Sequence, residues 1–437
     1  MKGGNRRELL GWYFFDFANT SFTVMIVTVA YAIYFKTYVA ADIVVQLPWG
    51  EREAGTFLWG LGNAISMFVV GLTSPYLGAV SDGTARKKLF TALYTALCIA
   101  ATLLMITVGR GEVVWGLTLF ILGNIGFQGG LVFYNAFLPQ ITTSDRIGYV
   151  SGAGFAWGYV GALFTLALAM PFASRASNTG DPSALAPAFA ISALFFLVFS
   201  VPFFLWVRER PPLRRHAGGA WREGWARVSD TLGHLQTYRE TGKFLLAYFL
   251  YSDGINTVIA FGGIFAIEVL GFTALQVILF FAIIQFAAIS GAWFFGYLTD
   301  RIGARPTIEI TLGLWLIMCV VAFISASQGV FYLAGVIAGV AMGSSQSASR
   351  ALMAELTPKD HEGEFYGFYG LCGKFSAILG PLLYGVVATA TGSQRWAVLS
   401  VGVFFLTGWA LLRLVDVRAG RDALGAHKAL VPDQEPG

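Results

Sequence analysis

The residues of this sequence that could do chemistry begin inside its first apolar stretch, GWYFFDFANTSF at residues 11–22. Asp16 stands among aromatic residues there, and Asn19 follows it about one helical turn later. With Thr20, these residues form the pattern Asp-x-x-Asn-Thr. The pattern recurs 237 positions later, beginning at Asp253. A carboxylate removed from water resists ionisation, which suits a group that binds and releases protons. The spacing therefore predicts a duplicated proton or substrate site.

A third ionisable group, Lys374, lies inside another apolar stretch, at a depth similar to that of the two carboxylates. Charges are costly in an apolar phase and usually face a bundle interior or a water-filled cavity. We expect Lys374 to pair with Asp253, and neighbouring amides to complete a central polar site. The predicted members of this site are Asp16, Asn19, Asp253, Asn256, Lys374, Gln128, Asn135 and Gln346. The alternative is a structural cluster that only fastens helices together.

Composition indicates which elements must position these residues. Of the 437 residues, 56% are hydrophobic and 12% are charged, whereas soluble domains carry about 25% charged residues. Apolar windows of about 20 residues, which are long enough to span a bilayer, recur along the whole chain. Twelve such windows lie near residues 11–36, 55–80, 89–108, 113–140, 148–173, 186–207, 243–270, 273–298, 307–326, 329–356, 363–390 and 394–417. The pattern predicts an all-α membrane protein with twelve transmembrane helices.

Internal repetition divides these windows into two sets of six. The loop GAVSDGTARKK at 78–88 is echoed by GYLTDRIGARP at 296–306, and a weaker echo relates 136–152 to 351–367. Duplicated halves with a site at their interface are typical of secondary transporters. We therefore predict two pseudo-symmetric six-helix bundles. The expected organisation is an N-terminal bundle (1–207), a cytoplasmic central loop (208–242), a C-terminal bundle (243–417) and a cytoplasmic tail (418–437).

The repeated loops place Asp82 and Asp300 at corresponding helix ends. A carboxylate in such a place can face a helix N-terminus and a neighbouring arginine, and so hold one conformation of the bundle. Solvated loop charge is the alternative. We assign conformational gating to Asp82, Arg86, Asp300, Arg301 and Arg350.

Charge distribution and absent motifs narrow the function classes. Of the 29 lysines and arginines, 23 lie on the side of the predicted bundle that also carries both termini. Because cytoplasmic loops are rich in basic residues, this distribution predicts cytoplasmic termini in a cell membrane. The net charge of +4 is spread between apolar segments and does not indicate nucleic-acid binding. The sequence has no GxxxxGK[ST] loop, no CxxC pair, no HExxH and no cleavable signal pattern. We expect no cofactor, no metal and no enzyme activity.

Longer stretches resemble known families. GYLTDRIGARP is similar to the loop signature of the major facilitator superfamily, while GAVSDGTARKK departs from it at Gly83 and Ala85. WYFFDFANTSF, AYFLYSDGINTVI and SASRALMAELTPKDHEGEFYGFYGLCGKFSAILGPLLYG resemble the vacuolar amino-acid effluxer family linked to autophagy in fungi, together with its bacterial relatives. The resemblance covers most of the chain. It implies a twelve-helix secondary transporter, and the fungal members are associated with amino-acid export from the vacuole.

Together these observations predict a monomeric, multi-pass transporter of a small polar solute. Amino acids are the first substrate hypothesis, because a zwitterion offers a carboxylate to Lys374 and an ammonium group to a carboxylate. Proton coupling follows from the buried acids. The alternatives are a transporter of a sugar, drug or lipid, and a membrane receptor or scaffold that keeps the fold without transport.

Overall fold

A computed structural model describes residues 5–47, 50–210, 220–233, 236–359 and 361–430. Within these ranges, twelve helices are long and apolar enough to cross a bilayer. Numbered helix 1 to helix 12, they are Arg6–Val39, Gly55–Thr84, Lys87–Thr107, Val113–Ile141, Ile147–Thr179, Pro182–Trp206, Arg239–Leu270, Leu279–Ile302, Ala304–Ile324, Gln328–Glu355, Glu362–Thr391 and Gln394–Leu412. Each falls within a few residues of a predicted window, so the predicted twelve-helix membrane architecture is confirmed.

The connection after helix 1 holds the two strands found among the described residues. Strand β1 (Val44–Leu47) pairs antiparallel with β2 (Gly50–Glu53), and Val44 lies opposite Glu53. Two paired antiparallel strands satisfy each other's backbone groups locally. The hairpin is therefore a small addition to an otherwise helical fold.

Helix 11 is broken in its middle. Its first part, helix 11a, covers Glu362–Phe375, and its second part, helix 11b, covers Leu379–Thr391. Pro381 stands in the first turn of helix 11b, where its missing N–H is tolerated. The proline ring would collide with the carbonyl group four residues earlier in a continuous helix, so the chain leaves the helix just before it.

Two shorter helices occupy segments that were expected to be loop and tail. The linker helix is Ala220–Gly233 and the tail helix is Val417–Leu430. The linker helix packs on the end of helix 2, because Gly224 brings its backbone against Val80 and Tyr76. Both helices are too polar to form an apolar window. Residues 211–219 and 234–235 of the expected loop and 431–437 of the expected tail lie outside the described residues.

Contacts group the chain into two compact units. Unit 1 contains 1–73, 86–134 and 157–209, and unit 2 contains 74–85, 135–156 and 210–437. Unit 2 thus includes one end of helices 2, 4 and 5 together with the whole of helices 7 to 12. The predicted division at 207 and 243 into two bundles stays a prediction.

Unit 1 is organised around helices 1, 4 and 6. The rings of Trp12 and Tyr134 stack with their centroids 4.8 Å apart. The Trp12 indole N–H donates to the Tyr134 carbonyl (3.3 Å), and the Tyr134 hydroxyl donates to the Trp12 carbonyl (2.9 Å). Ser21 adds a bond from helix 1 to the carbonyl of Ser192 on helix 6 (3.2 Å). These reciprocal bonds fix helix 1, which carries Asp16.

Unit 2 depends on small residues where helices 8 and 10 cross. A Cβ atom added to Gly343 would lie 2.2 Å from the carbonyl oxygen of Ala288, and one added to Gly339 would lie 2.4 Å from that of Ile284. Close backbone approach through small residues is the usual way in which membrane helices gain packing energy. The position of helix 10 therefore depends on these glycines.

Replacing Gly343 by alanine should destabilise the protein, because the new methyl group meets a backbone carbonyl that has no free rotation. We expect a loss of about 1–3 kcal/mol from overpacking, measured as a lower midpoint of thermal unfolding in detergent. Gly313→Ala on helix 9 is the matched control, since no atom lies within 4 Å of its added Cβ. Equal midpoints for the two variants would contradict this account of the crossing.

Candidate functional site

The carboxylate of Asp82 caps the start of helix 11. Its two oxygens accept hydrogen bonds from the backbone N–H groups of Gly363 and Glu364, both at 2.9 Å. Asp82 is only 3% exposed. The first N–H groups of a helix have no partner within the helix, and the helix dipole favours a negative charge beside them. We call this arrangement cap 1.

A second carboxylate makes the equivalent arrangement in the opposite sense, from the second copy of the repeated loop to a helix of the first copy. Asp300, at the end of helix 8, accepts from the N–H groups of Gly148 (2.7 Å) and Tyr149 (3.0 Å) at the start of helix 5. We call this arrangement cap 2. Residue 148 precedes residue 363 by 215 positions, the same offset that relates the echoed segments 136–152 and 351–367. Each copy of the loop thus caps a helix of the other copy.

Glycine pairs make both caps possible. A Cβ on Gly78 would lie 2.1 Å from the carbonyl oxygen of Gly363, and one on Gly296 would lie 2.8 Å from that of Gly148. Side chains at these positions would push the helix start away from the carboxylate. The flanking glycines of the repeated loops are therefore needed for the geometry of the caps.

The predicted gating arginines take different positions. Arg86 is exposed and precedes helix 3 as its N-cap residue. Arg301 donates to the hydroxyl of Tyr297, and its guanidinium carbon lies 4.9 Å from the centre of that ring. Arg301 therefore binds Tyr297 on its own helix, and the N–H groups of helix 5 bind Asp300.

Arg350 is buried among groups from both copies of the repeat. Its Nε donates to the Ser151 hydroxyl (3.1 Å), its Nη2 to the Ser151 carbonyl (2.8 Å) and its Nη1 to the Asn135 amide oxygen (3.1 Å). Its guanidinium carbon lies 4.0 Å from the centre of the Phe155 ring. Asn135 and Arg350 are themselves 215 positions apart. The side chain thus ties helix 10 to the adjoining parts of helices 4 and 5.

Asp253 is engaged by the break in helix 11. Its oxygens accept from the N–H groups of Leu379 (3.0 Å) and Gly380 (2.8 Å), the first residues of helix 11b. Asn256 donates to the hydroxyl of Ser376 within the break (3.2 Å). Both oxygens of Asp253 thus bind backbone groups of helix 11b, and the pairing of Asp253 with Lys374 stays a prediction. The second copy of Asp-x-x-Asn-Thr therefore holds a helix end.

A pocket of about 90 Å³ lies within unit 2, between helices 7, 10 and 11a. Its lining holds aromatic rings, hydroxyls and amides, among them Tyr248, Tyr251, Asn256, Ser345, Gln346 and Ser349. Two of these, Asn256 and Gln346, are predicted site residues. The pocket also includes Gly373, which directly precedes the half-buried Lys374. Such a lining can donate and accept hydrogen bonds in several directions, as polar ligand sites do.

The first copy of the motif lies in unit 1. Asp16 is 6% exposed, and its carboxylate accepts from the Asn19 side chain at 3.4 Å. Thr20 donates to the carbonyl of Gly158 on helix 5 at 2.9 Å. Helix 5 is continuous from Ile147 to Thr179, so the helix beside this copy has no break. The two copies of the motif therefore meet different partners.

Other polar residues of unit 1 extend along helix 4. Asn124 is fully buried and donates to the side chain of Asn63 on helix 2 at 3.0 Å. Gln128, one turn further, is half-buried. Asn63 was not identified from the sequence, although an amide inside an apolar window was a usable signal. Ser151 was missed too, because one serine in a membrane helix is unremarkable until its partner is known.

Solved structures of other proteins share the fold of this chain. The human organic anion transporter MFSD10 aligns with a TM-score of 0.69 at 17% identity, over 93% of this chain and 98% of that one. The Escherichia coli fucose:proton symporter FucP aligns with a TM-score of 0.71 at 12% identity, over 94% and 98%. Identities this low establish the fold alone. The chain therefore has the fold of major facilitator transporters.

The family follows from sequence comparison. A family profile described as "Vacuole effluxer Atg22 like" matches residues 4–425, and the chain belongs to this family. The uncharacterised MFS-type transporter YxiO of Bacillus subtilis is 28% identical over 94% of this chain and 95% of its own length. Autophagy-related protein 22-1 of Aspergillus niger is 30% identical over 68% of this chain and 52% of its own length. The predicted resemblance is confirmed.

Removing the carboxylate of Asp253 should weaken helix 11 in a graded way. Asp253→Ala leaves two N–H groups inside the membrane helix bundle without their acceptors, which costs about 1–3 kcal/mol per unsatisfied group. Asp253→Asn keeps one acceptor oxygen, so we expect thermal unfolding midpoints in the order wild type, then Asn, then Ala. Indistinguishable midpoints would show that the cap does not stabilise helix 11b.

Proposed function

We propose that this protein is a secondary active transporter that moves a small polar solute by alternating access. The observation that carries this proposal is the pair of caps related by the internal repeat. Each cap joins one copy of the repeat to the other through two hydrogen bonds to backbone groups. A contact made of two hydrogen bonds can form and break within a transport cycle. Holding one conformation is then the role of Asp82 and Asp300.

The proposed location is the cytoplasmic membrane of the cell, with both termini and both caps on the cytoplasmic side. The support is the distribution of lysine and arginine, which concentrates in the loops beside the caps, the linker segment and the tail. The bacterial relative matches nearly over its full length, which favours a cell membrane over the vacuole named for the family profile.

The proposed substrate class is the amino acids, with a sugar as the second candidate. Lys374 is the chain neighbour of Gly373, which lines the pocket, and a positive charge close to the pocket supports a substrate that carries a carboxylate. The hydroxyls, amides and tyrosine rings of the lining suit the remaining polar groups of either ligand. The lining also supports a sugar, because aromatic rings, hydroxyls and amides can bind a ligand that carries no charge.

Within this proposal, proton coupling belongs to Asp16 more than to Asp253. Both oxygens of Asp253 bind the N–H groups of helix 11b, so its protonation would disturb that helix start. Among the contacts of the Asp16 carboxylate is a hydrogen bond from the Asn19 side-chain amide on its own helix, and this bond can adjust by rotation of the two side chains. Asp16 is buried in the part of unit 1 that faces the continuous helix 5.

Reconstituted protein tests the proposal in two assays. A thermal-shift screen against amino acids, peptides and sugars identifies a ligand, and its uptake into proteoliposomes is then measured with and without a pH gradient. We expect Asp16→Asn to lose uptake driven by the gradient and to keep exchange of labelled for unlabelled substrate, because exchange requires no net proton movement.

Asp42→Asn is the control, since this exposed carboxylate binds Arg110 at the protein surface and exposed ion pairs contribute little. Gradient-driven uptake by Asp16→Asn equal to that of wild type would rule out the proton role. A protein that binds a ligand but neither takes it up nor exchanges it would indicate a receptor or scaffold.

A further inference from the structure

The two caps differ in the charged residues at the start of the capped helix. At the offset of 215 positions, His361 corresponds to Arg146, and Glu364 corresponds to Tyr149. Beside cap 2, the guanidinium carbon of Arg146 lies 5.9 Å from the centre of the Tyr149 ring, and this charge is permanent. Beside cap 1, Nδ1 of His361 lies 3.0 Å from Oε2 of Glu364. Cap 1 thus has a histidine, which titrates near neutral pH, at the position where cap 2 has an arginine, which stays charged.

Glu364 makes the charge of His361 important. Its backbone N–H donates to Asp82, so the residue belongs to cap 1 itself. Its side chain is fully buried, and its Oε1 has no hydrogen-bond partner among the described residues. A buried carboxylate without compensation is costly. Protonated His361 supplies a positive charge at hydrogen-bond distance.

The surroundings of His361 are predominantly acidic. Glu364 faces it from helix 11a and Asp82 from helix 2, while Arg227 faces it from the linker helix. Tyr238, which precedes helix 7, lies near Glu364 and carries no charge at neutral pH. The side chain of His361 is 30% exposed, so it can exchange protons with water.

Burial lowers the pKa of His361, whereas the hydrogen bond and charge of Glu364, with the charge of Asp82, raise it. The net direction is upward from the ordinary value of 6.5, even though Arg227 acts in the opposite sense. A histidine whose pKa is raised in one state stabilises that state fully at pH values below its ordinary pKa. This contribution is lost as the pH rises through the raised pKa.

We propose that His361 is a proton-binding site that makes cap 1, but not cap 2, sensitive to pH. The proposal rests on the holding role of the caps given above. With His361 protonated, Glu364 is compensated and the start of helix 11 remains on Asp82. After deprotonation, the buried carboxylate of Glu364 lies beside that of Asp82 with less positive charge near it, and cap 1 opens more often. The pH on the side of the protein that carries cap 1 then biases the conformational equilibrium, and no proton needs to bind in the central polar site.

Two matched positions report on the two caps separately. Ser81 is fully buried next to Gly363, and Thr299 is 2% exposed next to Gly148. They correspond in the repeated loops, 218 positions apart. Cysteine at either position, in a background with the three native cysteines replaced, becomes accessible to a thiol reagent only when its own cap opens.

The experiment measures labelling of Ser81→Cys and Thr299→Cys in full-length detergent-solubilised protein between pH 6 and pH 8. Each rate is divided by that of the same cysteine in unfolded protein, which removes the titration of the thiol. We expect the Ser81→Cys rate to rise with pH, by up to about tenfold for each unit by which the pKa of His361 differs between closed and open cap. The Thr299→Cys rate should stay flat.

Two variants decide whether His361 is the responsible group. His361→Arg copies the permanent charge of cap 2 and should give slow labelling of Ser81→Cys at every pH. His361→Gln has no charge and should give fast labelling at every pH. A flat Ser81→Cys profile in the presence of His361, or a pH response that persists in His361→Gln, would overturn the proposal.

Labelling requires neither substrate nor transport, so the two proposals fail separately. A pH response at Ser81→Cys in a protein without uptake would contradict the transporter proposal alone. Uptake by a protein whose Ser81→Cys labelling is independent of pH would contradict the proton site alone. Thermal unfolding of each variant in the same detergent excludes a loss of fold as the cause of fast labelling.

Discussion

A backbone N–H group at the start of a helix has no acceptor within that helix, and where it is buried a side chain has to supply one in place of water. Three aspartates of this protein meet that need in the same way, each accepting from two successive N–H groups. Asp82 and Asp300 serve the starts of helices 11 and 5, and Asp253 serves helix 11b. The rest of the candidate site depends on these caps, because they hold the starts of helices 5, 11 and 11b against the carboxylates that they face.

The same constraint explains why small residues surround every cap. Gly78, Gly296 and Gly380 each stand where a Cβ would meet a backbone oxygen or a polar side chain of the capped region at less than 3 Å. A helix start can reach a carboxylate only if the backbones approach this closely. The hydrogen bonds of each cap therefore depend on the close backbone packing around it. A substitution that separates the backbones should also weaken the bonds to the carboxylate.

Duplication supplied equivalent residues, and their surroundings gave them different roles. Asp253 lies beside a helix that Pro381 interrupts, so its carboxylate is taken up by the freed backbone groups. Asp16 lies in unit 1, where the helix beside it is continuous. The pair Arg146 and His361 diverged in the same manner, one permanently charged and one titratable. Pseudo-symmetry in the sequence is thus compatible with a division of labour between the two copies.

The sequence by itself determined the twelve membrane helices and the family, because long apolar windows and family-specific motifs are local signals that tertiary contacts do not alter. It also identified Asp82, Asp300 and Asp253 as unusual carboxylates. Their partners were decided only by the tertiary structure, since Gly363, Gly148 and Leu379 contribute backbone N–H groups that every residue except proline possesses. The same holds for Ser151 beside Arg350: a sequence shows which side chains are present, whereas the contact between two distant helices decides which of them meet.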